Sequence, residues 1–222
     1  MANFRSDEER FKLIREKLYT AVVCDILDSL GFRNQAMRET IRPIHPDHVV
    51  VGRARTFLWT EVFEPPADPY TKLIEAMDSL RPNDVVVQNT DYSGRIVAWG
   101  ELMSTAAMAR GCTGAVVDGL IRDVKMILKL GFPIFARGFR PLDSAGRGDI
   151  VAYDVPIRCG EVDVRPGEII FGDYDGVVVI PREVEDEALA KALEKVQGEN
   201  ITREELRQGK LLRQVYEKYG IL

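Results

Sequence analysis

The stretch from Gly100 to Gly131 constrains the fold more than any other part of the chain. It opens on glycine, continues as Glu101-Leu102-Met103-Ser104-Thr105-Ala106-Ala107, and passes Gly111 and Gly114 before the apolar run Ala115-Val116-Val117-Asp118. Gly119-Leu120-Ile121-Arg122-Asp123 then leads into a second helical pattern that begins near Arg122 and stops at Gly131. Glycines at these offsets separate a loop, a small-residue helix, a short strand and the start of another helix. Two residues are out of keeping with plain scaffolding. Arg122 stands where a helix begins, at the positive end of its dipole, where a cation is disfavoured by about 0.3–1 kcal/mol. Asp123 is a carboxylate just beyond a strand end, the place where open α/β sheets collect their sites. An anion beside Arg122 and a cation beside Asp123 would offset both.

The rest of the chain reads as one domain built around this unit. Residues 7–18 form a charged surface helix, and Thr20 caps a second helix whose apolar face is Val22, Val23, Ile26, Leu27 and Leu30, ended by Gly31. Residues 32–48 are loop-like, and Val49 to Trp59 is a strand with an irregularity at Gly52. Pro65, Pro66 and Pro69 break the chain before a helix from Tyr70 to Leu80. A turn at Arg81-Pro82-Asn83-Asp84 precedes the strand Val85-Val86-Val87, and Ser93-Gly94 precedes Ile96 to Trp99. Phe132 to Ala136 is a further strand, and residues 137–149 read as a surface loop. Beyond Val151 the period shortens to that of strands: Val162 to Val164, Ile169 to Gly172, and Val177 to Ile180 after the hairpin signal Asp173-Tyr174-Asp175-Gly176. Helices over 182–197 and 202–218, separated by Gly198-Glu199-Asn200-Ile201, close the chain. Alternating elements in the middle, strands after them and helices at both termini predict an α/β fold in a single domain over 1–222.

Composition excludes several classes of function. A net charge of -5 with a pI near 5.3, and no basic run with interleaved aromatics, argues against a nucleic-acid surface. The segment Met1 to Asp7 has no apolar signal core, and no apolar run approaches the roughly 20 residues of a membrane span, so a cytoplasmic protein is expected. Cys24, Cys112 and Cys159 are odd in number and far apart, as expected of reduced thiols. His45 and His48 form an H-x-x-H pair without further ligands at zinc spacing, which predicts a structural or surface role. Neither a phosphate loop nor a nucleophile elbow is present, and Trp59 and Trp99 read as core.

What remains is a constellation. Gly100 to Met103 places backbone N–H groups at a helix start, where they can face a carboxylate, although the same glycine fits an ordinary strand-to-helix turn. Asp123 taken alone fits a first-turn acid on the helix dipole. Glu101, Arg122 and Asp123 meet at one sheet edge if the helix and strand between them run out and back.

Gly100-Glu101, Gly111, Gly114, Asp118-Gly119 and Arg122-Asp123, together with Pro133 to Ala136, Val164 to Glu168 and Gly172 to Pro181, resemble the family of 4-hydroxy-4-methyl-2-oxoglutarate aldolases and the regulator of ribonuclease E activity A, whose members are often misnamed demethylmenaquinone methyltransferases. The likeness covers most of residues 20–220. It implies a three-layer α/β/β-type sandwich, like a swivelling β/β/α domain, assembled as a homotrimer or homohexamer with sites between subunits. It implies a divalent metal, magnesium or manganese, and a small 2-oxoacid substrate. Carried over residue by residue, the backbone of Gly100, Glu101, Leu102 and Met103 holds the pyruvyl carboxylate, Arg122 binds the C2 oxygen, Asp123 ligates the metal, and Glu199 supplies a further acid to the metal site across a subunit boundary. The aldolase pattern carries aspartate where this chain has Glu101, which keeps the carboxylate and lengthens its reach. The expected activity is a metal-dependent lyase that forms pyruvate from a 4-hydroxy-2-oxoacid, with oxaloacetate decarboxylase side activity. The alternative is a non-catalytic regulator of a ribonuclease E-type enzyme acting by protein binding. The acid at position 101 favours the enzyme, and the missing glycine-rich cofactor loop weakens a methyltransferase reading.

Overall fold

The computed structural model describes residues 6–221, so the reading of Met1 to Asp7 falls largely outside the described residues. Helices α1 (Asp7–Lys17) and α2 (Thr20–Ser29) come first, then strands β1 (Arg42–Pro43) and β2 (Val50–Glu61), helix α3 (Thr71–Asp78), and strands β3 (Asp84–Asn89) and β4 (Val97–Trp99). The central unit follows as α4 (Glu101–Ala109), β5 (Gly114–Ile121), α5 (Val124–Leu130) and β6 (Ile134–Phe139). Strands β7 (Gly148–Tyr153), β8 (Ile157–Cys159), β9 (Val162–Val164), β10 (Ile169–Asp173) and β11 (Gly176–Ile180) lead to helices α6 (Glu185–Arg207) and α7 (Leu212–Tyr219).

One sheet runs β1-β6-β5-β3-β2-β10-β11, with β4 added to β5 and β7 to β2. Strands β2, β3, β5 and β6 pair in parallel, and the additions β1, β7, β10 and β11 are antiparallel. Alternation along each strand sorts the core. Val50, Ala54, Val85, Val87, Val116, Phe135, Ile170 and Val179 face inward, where the separate hairpin β8–β9 fills the curve of a near-barrel sheet through Ile157, Cys159, Val162 and Val164. The residues between them face outward. Phe57, Val86, Ala115 and Val117 pack under the cluster that includes Ala76 and Met77 of α3, Ala107 of α4 and Ile127 of α5. Val51, Ile169, Phe171 and Val178 pack under Phe11 and Ile14 of α1, Val23 and Leu27 of α2, and Leu189 of α6. Helices, sheet and inner hairpin make the three layers, with helices at both termini.

Several local expectations are corrected by packing. Thr20 does not cap α2. It is the first helical residue, and its N–H and hydroxyl both donate to the Asp173 carboxylate of the β10–β11 turn, at 2.8 and 2.6 Å. The break expected at Gly198-Glu199-Asn200-Ile201 does not occur, and α6 runs through it. Gly198 serves close approach instead, because a Cβ there would lie 2.4 Å from Cδ1 of Ile221. The helix ends at Gln208, and Gly209 turns the chain in the left-handed region at φ 85°. The loop expected over 137–149 shrinks to residues 140–147, since β6 extends to Phe139 and β7 starts at Gly148. Strand β5 likewise continues past Asp118 to Ile121.

Candidate active site

Strand β5 carries the chain to Ile121, and the Arg122 N–H donates to the Trp99 carbonyl of β4 at 3.0 Å. Asp123 takes a left-handed conformation, φ 58° and ψ 25°, a region asparagine and aspartate enter more readily than other non-glycine residues. Helix α5 therefore starts at Val124, and Arg122 stands just outside it rather than within its first turn. This single bend turns both charged side chains toward the start of α4.

The other half of the site is the β4–α4 junction. Gly100 is the N-cap of α4, in extended backbone at φ -149° that any residue adopts. Its role is steric: a Cβ at Gly100 would lie 2.8 Å from Asp123 Oδ2 and 3.5 Å from Arg122 Cγ and Nε. The Glu101 N–H donates to Asp123 Oδ2 at 3.3 Å. Below, the Trp99 indole N–H donates to Ser104 Oγ at 2.8 Å, and the Ser104 hydroxyl reaches the Gly100 carbonyl, which fixes the turn against the core. The first N–H groups of α4 have no intrahelical acceptors and carry the positive end of the helix dipole.

Between these halves lies a cleft of about 190 Å³ lined by Gly100, Leu102, Met103, Arg122 and Asp123 on the side just described. Trp59, Tyr70, Leu73, Asp143 and Ser144 also line it. Arg122 faces two carboxylates, with Nε 3.6 Å from Asp123 Oδ2 and Nη1 3.7 Å from Asp143 Oδ1, and it donates to the Leu142 carbonyl at 3.1 Å. Tyr70 donates to Asp143 Oδ1 at 3.3 Å. Its phenol titrates above the ordinary tyrosine range, through burial first and the adjacent Asp143 second. Ser144 anchors the loop by donating to the Val97 carbonyl at 2.7 Å and accepting the Val97 N–H at 3.0 Å.

Gly100, Leu102, Met103, Arg122 and Asp123 thus line one cleft. Glu101 joins through its backbone, while its carboxylate accepts the Thr105 hydroxyl at 2.8 Å along α4. Glu199 is elsewhere in the chain. It lies in α6, over the β10–β11 end, where its carboxylate accepts the Tyr19 hydroxyl and faces Lys195 and Arg203 at 4.0 and 3.7 Å. Asp143 and Tyr70 were not singled out in the sequence. Asp143 sits in a loop with no motif, and Tyr70 reads as the first residue of a helix. Tyr70 is the N-cap of α3, held at φ 73°.

His45 and His48 take structural roles. The His48 Nδ1 accepts the Ile134 N–H at 3.3 Å, and burial pushes its pKa below the ordinary value. The three cysteines are free, and burial holds the Cys112 thiol up at about 12. Among the described residues, no group of three or more His, Cys, Asp or Glu side chains is placed to hold a metal by itself, and no helix is long and apolar enough to cross a membrane.

A 185-residue match at 37% identity, covering 83% of this chain and 82% of the other, is to a Halalkalibacterium halodurans protein that carries the provisional name 4-hydroxy-4-methyl-2-oxoglutarate aldolase. An uncharacterised protein of Pseudomonas syringae pv. tomato superposes with a TM-score of 0.85 at 26% identity, over 99% of this chain and 98% of that one. Streptomyces coelicolor RraAS2, described as an unusual member of the RNase ES inhibitor RraA protein family, superposes with a TM-score of 0.79 at 29% identity, over 90% and 98% of the two chains. The family model RraA-like, Aldolase/RraA, matches residues 20–179, a span that contains α4, β5, Arg122 and Asp123, and the chain belongs to that family.

Proposed function

We propose that this chain is a divalent-metal-dependent lyase that cleaves a 4-hydroxy-2-oxoacid by a retro-aldol reaction to release pyruvate. The observation that carries this reading is the approach of Arg122 and Asp123 to Gly100, so close that a Cβ there would meet the Asp123 carboxylate at 2.8 Å, directly at the N-terminus of α4. A cation, a carboxylate and outward-facing amides then share one small cleft.

The donor set fits magnesium or manganese. Asp123 is a half-exposed carboxylate opening on the cleft, and among the described residues its Oδ1 takes no hydrogen bond. Magnesium keeps several waters and needs only one or two carboxylates, so Asp123 suffices as the protein ligand where a zinc-type cluster is absent. Bound there, a divalent cation supplies positive charge that favours the enolate form of the pyruvyl group.

The chain's own groups account for the remaining steps. The amides of Leu102 and Met103 and the Arg122 guanidinium receive the substrate carboxylate and the C2 oxygen. A base removes the C4 hydroxyl proton, the C3–C4 bond breaks, and its electron pair moves to C3 and the C2 oxygen as an enolate. The C4 carbon departs as an aldehyde or ketone, and protonation at C3 gives pyruvate. Arg122 opposes the developing charge at the C2 oxygen. We assign the C4 proton to a water held by Glu101, the first residue of α4, next to Gly100 of the cleft lining. Oxaloacetate decarboxylation shares the enolate and needs no such base, which makes it the side activity. Trp59 and Trp99, both buried, contribute apolar lining to the cleft.

The rival reading is a non-catalytic ribonuclease regulator, favoured by the likeness to Streptomyces coelicolor RraAS2. A lactate-dehydrogenase-coupled assay with 4-hydroxy-2-oxoacids and oxaloacetate, with magnesium and with chelator, separates the two. Magnesium-dependent pyruvate release supports the lyase, and none from any of these compounds leaves the regulator. We further propose a homotrimer or homohexamer acting in the cytoplasm. Leu102 lies exposed at the cleft, Phe139 in the neighbouring groove that Arg122 and Asp123 also line, and Leu211, Leu212 and Tyr216 on the C-terminal arm, which is consistent with subunit contacts there. Glu199 would then serve a neighbouring site and not its own.

A further inference from the structure

We infer that Asp143 is a positioning residue for Arg122: its carboxylate is the counterion that keeps the guanidinium in place when a divalent cation shares the charge of Asp123. The assignment rests on the lyase reading above and adds to it a residue that the Gly100 to Asp123 motif does not contain.

Arg122 is held through two of its three nitrogens. Nε lies 3.6 Å from Asp123 Oδ2. Nη1 donates to the Leu142 carbonyl at 3.1 Å and lies 3.7 Å from Asp143 Oδ1. Leu142 and Asp143 are consecutive, so one short segment gives Nη1 both a neutral and a charged acceptor. Among the described residues Nη2 makes no hydrogen bond, which leaves it for a substrate oxygen. The Asp143 carboxylate is itself fixed. Its Oδ1 accepts the Tyr70 hydroxyl and the Ala145 N–H, each at 3.3 Å. The Asp143 carbonyl accepts Arg147 Nη1 at 2.8 Å. Ser144, the next residue, is buried and exchanges two hydrogen bonds with Val97 of β4. Tyr70 stands at φ 73°, a conformation that a bulky residue keeps only where its surroundings impose it. An ordinary exposed ion pair must order two long side chains by its own attraction and gains little. Here the aspartate is ordered by other contacts before it meets Arg122.

Charge gives the arrangement its purpose. One carboxylate neutralises a guanidinium, yet Arg122 has two within 4 Å. A divalent cation bound at Asp123 sets two further positive charges beside Arg122, and the single charge of Asp123 cannot balance both. Left with Asp123 alone, the guanidinium would be repelled from the position in which it meets the C2 oxygen. Asp143 approaches Nη1, whereas Asp123 approaches Nε, so the second carboxylate retains Arg122 from a different nitrogen.

Asp143→Asn on the full chain tests this. Asparagine keeps Oδ1 as an acceptor for Tyr70 and Ala145 and removes only the charge. Pyruvate release is measured from 4-hydroxy-4-methyl-2-oxoglutarate and from oxaloacetate, beside wild type. Calorimetry gives the Kd of magnesium alone and of oxalate with magnesium, oxalate being a stable planar dianion shaped like the enolate of pyruvate. The expected loss in kcat/KM is about tenfold for both substrates, the low end of the roughly 10–100-fold range for groups that orient a site's ligands, because Asp143 and Arg122 are 53% and 39% exposed. The oxalate Kd should rise by a similar factor. The magnesium Kd should change less than about threefold, since the exposed Asp143 charge is screened, and Tm should fall by no more than about 2–4 °C. In an Arg122→Lys background the same change should cost less than about twofold more, because the group that Asp143 positions is gone. Asp143→Glu, which restores the charge, should recover part of the loss. Wild-type kcat/KM and oxalate affinity in Asp143→Asn overturn this inference. Losses that multiply in full in the double variant overturn the claim that Asp143 acts through Arg122. Magnesium affinity that falls with the oxalate affinity makes Asp143 a metal ligand and overturns its role as counterion. All three results leave the lyase reading standing. No pyruvate from wild type with either substrate overturns that reading and this inference together.

Discussion

Gly100→Ala isolates the geometry of the site from its chemistry. Gly100 has φ -149° and ψ -174°, so alanine meets no backbone strain, and the change acts only through its Cβ. That atom would lie 2.8 Å from Asp123 Oδ2, and ordinary contact begins at 3.4 Å, so the carboxylate must retreat by about 0.6 Å. Arg122 Cγ and Nε, at 3.5 Å, need not move. Overpacking a closed core costs about 1–3 kcal/mol. Here the yielding atom ends a side chain that is 45% exposed, so the cost should stay below about 1 kcal/mol, a Tm decrease of no more than about 2–4 °C for a chain of this length. The functional loss should be larger. The shift breaks the 3.3 Å bond from the Glu101 N–H and moves Asp123 relative to the α4 amides. A displacement of 1 Å can cost about 10²-fold, so a kcat/KM loss of roughly 10–10²-fold is expected, with magnesium affinity reduced in parallel. The assays are coupled pyruvate release, magnesium titration calorimetry and thermal unfolding. Full activity with full magnesium affinity in a folded Gly100→Ala protein would refute the claim that the Gly100 gap sets the position of Asp123. A Tm decrease beyond 10 °C would refute the claim that Asp123 is free to yield.

Arg122→Lys should slow both pyruvate-forming reactions by roughly 10²–10³-fold, the scale of losing one oxyanion donor, because lysine keeps the charge but cannot span Asp123, Asp143 and the substrate with a planar fork; parallel rates for the two substrates check it. Asp123→Asn should weaken magnesium binding in calorimetry while leaving Tm within a few degrees, since the side chain is half exposed and its backbone sets the bend; undiminished affinity would assign Asp123 to the bend alone. Arg53→Met should cost about 2–3 kcal/mol in denaturant unfolding, because Arg53 holds Asp7 and Glu185 at 2.6 Å, and this falls short of a fully buried pair's ~3–5 kcal/mol since Asp7 is 38% exposed. The pH dependence fixes its sign: the hydrogen bond from Arg53 holds the Asp7 carboxyl below its ordinary 3.8, so the stabilisation is present above that pH and is lost as pH falls through the lower folded value. Wild type and Arg53→Met should therefore differ most at neutral pH and converge in strong acid.

Much of the fold was legible because local signals and tertiary packing agreed. The hairpin signal Asp173 to Gly176 joins β10 and β11 in register, with Asp173 opposite Gly176. The glycine offsets around α4 and β5 place those elements to within a few residues. The errors occur where a residue's partner is distant in sequence. Gly198 looks like a helix break, yet its missing Cβ admits Ile221 from beyond the next helix. Thr20 looks like a cap, yet its hydroxyl is claimed by Asp173. In both cases the residue type was informative and the partner that decided its use was invisible along the chain.

The candidate site shows the same division at finer scale. Arg122 was conspicuous because a cation at a helix start is unfavourable, and the structure removes the conflict by starting α5 two residues later. That delay depends on Asp123 entering the left-handed region, and the bend delivers its carboxylate to the Gly100 gap. One backbone choice at Asp123 therefore both relieves the helix dipole and assembles the pair. Periodicity cannot reveal it, because the apolar pattern of α5 is unchanged by where its first turn begins. Asp143 and Tyr70 lay beyond reach for a different reason: they contribute to the cleft only after the 140–147 loop folds back over β4 through Ser144. The part of the cleft built from Gly100, Leu102, Met103, Arg122 and Asp123 is thus written in a contiguous motif. The rest of the lining, with Trp59, Tyr70, Leu73, Asp143 and Ser144, is assembled from segments that the sequence gives no reason to bring together.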